Sequence, residues 1–365
     1  MQTGDGLLAR LRVADGLLSP DQLGAIARLA AHYGNGQVEI SARGNLQVRG
    51  LTEASAIPFA AAVRAVVDIE TGLVVETPPL AGDDPTELAD PRALAAAIRA
   101  LAAPLGERLG PKVTVVVDGM GQLGRAALKA DIRLTAQGPD SWALAVAEQE
   151  QARLSAAEAP AAVRAVLEQL AALGPMARAS DLVPVRPGAT QLARPPIGSF
   201  TRCSGTASGL ALPFGASDSA ALIALGALAT RHGAGGFRLA PQHGLLALDA
   251  APAFAGDAAA LGFVTDRADP RLRISACIGS MGCASGHIPA RAIAEKLAPA
   301  LPDDRQLHVS GCAKGCAHPR RADVTLVGRE DGYGLVIAGT AGDTPQTVLR
   351  PDAGESALAA AIRQG

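Results

Sequence analysis

Two rhythms of apolar and polar positions run along this chain. From Leu7 to Val13 the alternation has a period of two, which predicts a strand with Arg10 and Arg12 on one face. A helical period follows. Ser19 caps it, Pro20 takes the first turn, and Gln22 completes a capping box. The pattern runs to about Tyr33 and stops at Gly34, Asn35 and Gly36. Val38–Ile40 and Leu46–Val48 read as strands with Arg43 between them, and residues 55–67 read as helix. Turn formers from Pro78 to Pro85 make a connection. A helix opens at Asp90 or Pro91 and runs to about Leu105, and Val113–Val117 is a short apolar run typical of a buried strand. Ala130–Leu134 and Trp142–Val146 pair around Gly138, Pro139 and Asp140, and a further helix reaches about Leu173.

The order then repeats. Leu222–Arg231 is helical, His232–Gly235 stops it, and Phe237–Leu239 continues as strand, as Tyr33–Gly36 and Val38–Ile40 did earlier. Ala322–Leu326 matches Ala130–Leu134, Gly311 matches Gly119, and Tyr333–Ile337 stands where the Trp142 strand stood. Two related halves, about 1–190 and 191–365, follow from this order. The class is α+β. Two ferredoxin-like half-domains (1–75 and 199–265) alternate with two α/β domains (76–174 and 266–365), and the proline-rich stretch 175–198 is the linker. A pseudo-twofold pair creates a cleft between its halves, a favoured place for a ligand.

Composition narrows the function. The chain has 365 residues, 48% hydrophobic and 19% charged, which is globular and long enough for several cores. A formal charge of −2 gives no global pull towards nucleic acid or membrane, and 2% aromatic residues supply no base-stacking platform. No basic segment followed by an apolar core opens the chain, and no apolar run is long enough to span a bilayer. The cysteine usage fits a reducing cytoplasm rather than a disulfide scaffold.

Four of the five cysteines fall in one stretch, Cys277 and Cys283 as C-x5-C, then Cys312 and Cys316 as C-x3-C. Thiolates gathered from two loops suit an iron–sulfur cluster, whereas zinc is more often gripped by one tighter knuckle. Gly279, Gly282, Gly311 and Gly315 stand beside them and let the backbone approach sulfide closely. A [4Fe-4S] cluster is the favoured reading, against zinc or plain packing. The fifth cysteine, Cys203, has no evident partner, and a small buried hydrophobe is its default role. Gly119, Gly121 and Gly124 fit G-x-G-x-x-G, but too few residues precede the next strand for a dinucleotide-binding helix, so they read as a glycine-rich turn. Electrons therefore arrive through a separate reductase or carrier.

The duplicated layout with C-x5-C and C-x3-C in the second half resembles the nitrite/sulfite reductase superfamily over nearly the whole chain. The resemblance implies that Cys277, Cys283, Cys312 and Cys316 hold a [4Fe-4S] cluster, with Cys316 the residue that bridges to sirohaem iron in the reductases. It also makes Gly34–Gly50 a macrocycle-binding segment, with Arg43 and Gln47 on tetrapyrrole carboxylates. Gly4–Arg10, Pro79–Gly82 and Leu212–Gly215 are similar to the cobalamin-pathway branch of that superfamily, whose oxygen-dependent enzymes act on precorrin-3A. What this implies is hydroxylation at ring carbon C20 with O2 and reducing equivalents from NADH, then closure of a lactone. Arginines bind the ring's ionised carboxylates bidentately. Arg10, Arg12, Arg43, Arg49, Arg320 and Arg321 are the candidates, with Asn45, Gln47 and Lys314 as further partners. The branch is described as carrying a mononuclear non-haem iron as well. Of the six histidines, His287 and His318 lie near the cluster cysteines in sequence and are its candidate ligands, although a core or capping role is the default for each. No catalytic residue is singled out.

The alternative is a sirohaem-dependent nitrite or sulfite reductase. Those enzymes carry paired lysines in a K-x-K segment and an arginine just before the first connection. Here Lys112 is followed by Val113 and Thr114, and Gly72–Val75 contains no arginine. Repeated proton delivery to a small oxyanion needs such cations. A cluster-bearing electron carrier with no substrate of its own is a third reading.

Overall fold

A computed structural model describes residues 1–184 and 195–364. The core of the expected linker, 185–194, lies outside them. Four five-stranded sheets organise the chain. The first comprises Gln2–Thr3, Gly6–Leu11, Leu46–Leu51 and Gln37–Ile40, and ends on Ala216–Asp218 from the second half. The third comprises Gly198–Arg202, Gly205–Ala211, Gly244–Leu248 and Gly236–Ala240, and ends on Leu17–Leu18 from the first half. Each half lends its partner an edge strand: Ala216–Asp218 pairs with Gln37–Glu39, and Leu17–Leu18 pairs with Phe237–Arg238. This exchange covers two open edges and locks the halves together.

Helices Pro20–Tyr33 and Ser219–Arg231, one from each half, pack against each other. The first begins as its sequence dictates, with the Gln22 amide donating to Ser19 Oγ at 3.0 Å and the Ser19 amide donating to Gln22 Oε1 at 2.8 Å. Gly226 is what lets the helices approach: a Cβ there would stand 2.7 Å from the Pro20 carbonyl. Leu23 and Ile26 meet Leu222, Leu225 and Phe237 in one core, so the two half-domains fold around shared apolar residues.

The second and fourth sheets repeat one order. In the second, Val74–Glu76, Thr114–Asp118 and Ile132–Gly138 run parallel, then Ser141–Val146 and Gln149–Leu154 return antiparallel. In the fourth, Ile274–Ala276, Leu307–Ser310 and Ala322–Arg329 run parallel, then Gly332–Gly339 and Thr347–Leu349 return. Thr114–Asp118 is buried at every position, as a central parallel strand must be. Element ends shift from the sequence reading. Helix 55–67 is Glu53–Arg64, and the helix expected to reach Leu105 ends at Ala102 and tightens into a 3-10 turn, Ala103–Arg108. The first strand ends at Leu11, so Arg12 falls past it rather than sharing a face with Arg10 in the ladder. Among the described residues no helix is long and apolar enough to cross a membrane.

Candidate functional site

The four candidate cysteines lie on the two loops that leave the carboxyl ends of neighbouring parallel strands. Ala276 pairs with Val309, Cys277 follows the first strand, and Cys312 follows the second by three residues beyond Val309. Loops at that end of a parallel sheet are where ligands are bound, because both chains turn away there and leave a crevice. The loops are tied together by backbone bonds. Between them His287 N–H donates to the Gly311 carbonyl at 2.8 Å and Gly311 N–H to Cys277 Sγ at 3.1 Å; within the first, Cys283 N–H donates to the Gly279 carbonyl at 2.9 Å. Two glycines make this possible. A Cβ on Gly311 would stand 2.7 Å from the Gly279 Cα, and Gly279 itself has φ +62° with Ile288 oxygen 2.2 Å from where its Cβ would be. Gly311→Ala is therefore expected to spread the two loops. Iron bound per chain, measured by metal analysis after anaerobic purification, should fall several-fold, and full retention of iron would contradict this packing.

All four sulfurs line one cavity of about 840 Å³ at the junction of the halves. Burial raises the Cys316 thiol pKa, the sulfurs of Cys277, Cys312 and Cys283 push it further up, and Lys314 opposes them. Among the described residues, no three His, Cys, Asp or Glu side chains converge tightly enough for a single metal ion. Four thiols delivered by two loops to one cavity are a donor set of the kind that would hold a [4Fe-4S] cluster. Among the described residues neither His287 nor His318 belongs to such a group of three. His287 is exposed, and His318 Nε2 lies 3.3 Å from the Arg321 carbonyl.

The first half closes over the cluster loops. Ala284 N–H donates to the Gly4 carbonyl at 2.9 Å, and a Cβ on Gly4 would lie 2.3 Å from Cys283 Sγ. Arg49 anchors this strap. Its guanidinium donates to both Asp5 oxygens, at 2.8 and 2.6 Å, and to Glu39 at 3.2 Å. Burial works against the Arg49 charge, but the hydrogen bonds and charges of Asp5 and Glu39 outweigh it and raise its pKa. Glu39 also accepts from Arg291, which comes from the second half. One carboxylate thus joins an arginine from each half at the cavity wall.

The expected carboxylate-binding residues divide sharply. Gln47, Arg49 and Lys314 line the cavity. Arg10 is exposed and meets Gln47, whose amide oxygen accepts from its Nε and Nη2 at 3.0 Å in the orientation that satisfies both groups. Arg12 is spent on the Glu70 and Gly72 carbonyls. Arg43, the leading candidate by resemblance, does not line the cavity: it pairs with Glu76 at 2.9 Å and reaches the Lys129 carbonyl. Asn45 is outside the lining, its backbone closing a turn with Ser41. Arg320 and Arg321 are exposed beyond Cys316 and outside the lining. Lys112 is exposed elsewhere. Cys203 is exposed rather than buried, because it sits in the tight turn between Gly198–Arg202 and Gly205–Ala211.

Arg271, Arg291, Glu39 and His243 line the cavity and were not among the expected residues. Arg291 opens helix Ala290–Leu297, and no local pattern marks it, since its partner Glu39 is 252 residues away. Arg271 is held by Asp269 at 2.6 Å and Glu295 at 3.2 Å. Among the described residues Lys314 has no carboxylate partner; its Nζ donates to Ser285 Oγ at 2.9 Å.

The chain is similar to several known proteins. Residues 1–66 match the nitrite/sulfite reductase ferredoxin-like half domain. A curated precorrin-3B synthase from Sinorhizobium sp is 39% identical over 98% of this chain and 85% of its own length. A ferredoxin–nitrite reductase from Synechococcus elongatus is 34% identical over 25% of this chain and 19% of its own length. In fold the chain is similar to the Mycobacterium tuberculosis NirA protein, with TM-score 0.69 at 21% identity, covering 98% of this chain and 80% of that one.

Proposed function

The chain belongs to the precorrin-3B synthase family, within the nitrite/sulfite reductase superfamily, and from that premise we propose that it is the monooxygenase that converts precorrin-3A to precorrin-3B. The reaction is hydroxylation at C20 with O2 followed by lactone closure. The observation that carries the reading is one cavity of about 840 Å³ lined by four thiols, Gln47, Arg49, Arg291 and Lys314. That volume is near the top of the ~300–1,000 Å³ range of ligand pockets and suits a macrocycle.

Cys277, Cys283, Cys312 and Cys316 would hold the cluster, which when bound supplies electrons one at a time. The protein's own groups bind and orient. Lys314 is the cation left for a ring carboxylate. Arg49, Arg271 and Arg291 present guanidinium edges already fixed by carboxylates, so they position acidic arms with little loss of side-chain freedom. We place the enzyme in the cytoplasm, with NADH as the indirect source of electrons through a partner reductase or carrier.

The test is conversion of precorrin-3A under O2 with a reducing system and intact cluster, followed by mass spectrometry. A gain of one oxygen is expected, and no product under these conditions would refute the reading. Strong sirohaem bands in the purified protein would instead favour the reductase. Lys314→Met should weaken precorrin-3A binding about tenfold and flatten its salt dependence while leaving iron content unchanged. Unchanged affinity would remove Lys314 from the binding site.

A further inference from the structure

The duplication gives the first half its own crevice at the carboxyl ends of parallel strands. Val74–Glu76 is followed by Thr77 and Thr114–Asp118 by Gly119, as two strands of the fourth sheet are followed by the cysteine loops. Such strand ends are where open α/β sheets place ligands. The loop after Asp118 carries Gly119, Gly121 and Gly124, the glycine-rich turn of the sequence, and none of them lines the large cavity. Arg125 follows directly.

Arg125 is only 8% exposed, and among the described residues no carboxylate forms an ion pair with its side chain. Its Nε donates to the Thr77 carbonyl at 2.8 Å and its Nη1 to the Arg43 carbonyl at 3.0 Å. Two neutral acceptors thus fix the guanidinium and tie the two strand ends together, while Nη2 has no protein partner among the described residues. The carboxylates whose charge reaches it are engaged elsewhere. Glu76 pairs with Arg43 at 2.9 Å, and Asp118 accepts from the Met120 and Arg125 amides at 2.9 and 2.5 Å. Burial lowers the Arg125 pKa and Arg43 adds to this, against the charges of Glu76 and Asp118. Arginine nevertheless keeps its proton, so a cation is held in the interior without a direct counter-ion.

That cation lines a second pocket, of about 60 Å³, where the halves meet. Leu123, Ala127 and Leu128 from the first half and Pro196 and Pro241 from the second give it apolar walls. Gln242 stands in the wall of this pocket and of the large cavity.

We propose that this pocket is a second ligand site, in which Arg125 receives the carboxylate of a group about the size of acetate. A planar guanidinium edge matches a planar carboxylate, whereas chloride presents a single point and phosphate brings more charge than one cation balances. A single water needs roughly 10–15 Å³ of such space, so the pocket admits about four heavy atoms. Two sources carry this chemistry: a free small acid, or an acetate arm of a ring bound in the large cavity past Gln242. The site itself does not depend on the function proposed above.

Isothermal titration with sodium acetate, at an ionic strength held constant with sodium chloride, tests the site. Wild-type protein is compared with Arg125→Met, which removes the cation, and with Ala127→Leu, which narrows the pocket and keeps the cation. Circular dichroism and iron content verify that each variant is folded. Saturable binding by the wild type is expected, with a Kd on the order of 1 mM, and binding at least about tenfold weaker in each variant. No saturable binding by the wild type would overturn the proposal, and so would unchanged affinity in either folded variant. If Arg125→Met does not fold, Ala127→Leu decides. Repeating the titration with precorrin-3A present separates the sources: competition assigns the pocket to a ring arm, and independent binding assigns it to a free acid. A wild type that binds acetate but not precorrin-3A would strike the function proposed above and leave this site standing.

Discussion

Cys316→Ser purified without oxygen is expected to lose at least roughly nine-tenths of its iron and acid-labile sulfide, and with them all turnover, while Cys203→Ser keeps both. The contrast follows from where the two thiols lie. Cys316 shares the cavity with Cys277, Cys283 and Cys312, and its thiol responds to all three. Serine offers a harder, less acidic donor that holds iron poorly against the bridging sulfides. Cys203 sits in an exposed turn of the third sheet, outside the cavity lining. The loops themselves should survive, since Gly311, His287 and Cys283 hold them by backbone bonds that do not involve Cys316. Circular dichroism would show this. Full iron and sulfide in Cys316→Ser, or loss of both in Cys203→Ser, would show that the sulfurs are not a cluster cradle.

These cysteines were readable in the chain because their meaning is local. C-x5-C and C-x3-C each occupy one loop, and a parallel pairing of two short strands brings the loops together. The duplication was readable for a related reason: the period-two and helical runs recur in the same sequence order in both halves. The exchanged edges were not. Leu17–Leu18 and Ala216–Asp218 are too short to show any period, and each exists as a strand only because the other half offers an open edge.

Arginine ownership was illegible for a different physical reason. Whether a guanidinium is free for a substrate depends on which carboxylate reaches it, and those carboxylates are distant in sequence. Arg43 is claimed by Glu76, 33 residues on, and Arg291 by Glu39, 252 residues back. Resemblance could mark Arg43 as a binding residue, but it could not reveal that Glu76 holds it. His243 was hidden likewise, since the carbonyl that its Nδ1 meets belongs to Ile40, 203 residues away.

Arg49→Met should destabilise the fold by about 3 kcal/mol or more at neutral pH, the largest effect expected from any single charge in the cavity wall. The side chains of Asp5, Glu39 and Arg49 are only 2%, 14% and 15% exposed. Methionine keeps much of the volume, takes the guanidinium from Asp5 and leaves Glu39 with Arg291. The pH dependence identifies the cause. In the native protein burial raises the Asp5 pKa, but hydrogen bonds from Arg49 and Thr3 and the Arg49 charge outweigh it, so the pKa is lowered. A lowered carboxyl contributes stability that is present above its unfolded value and lost as pH falls through its folded value. Without Arg49 only burial and Thr3 remain, the carboxyl shifts upward, and protonation relieves the variant. The gap in urea unfolding between the two proteins should therefore be widest near pH 7 and close below about pH 4. The strap consisting of residues 1–6 carries Gly4 onto Cys283, so the variant should also release iron faster under chelator. A variant within about 1 kcal/mol of the native protein at pH 7 would place Arg49 among solvent-screened surface pairs and detach the strap from the cluster.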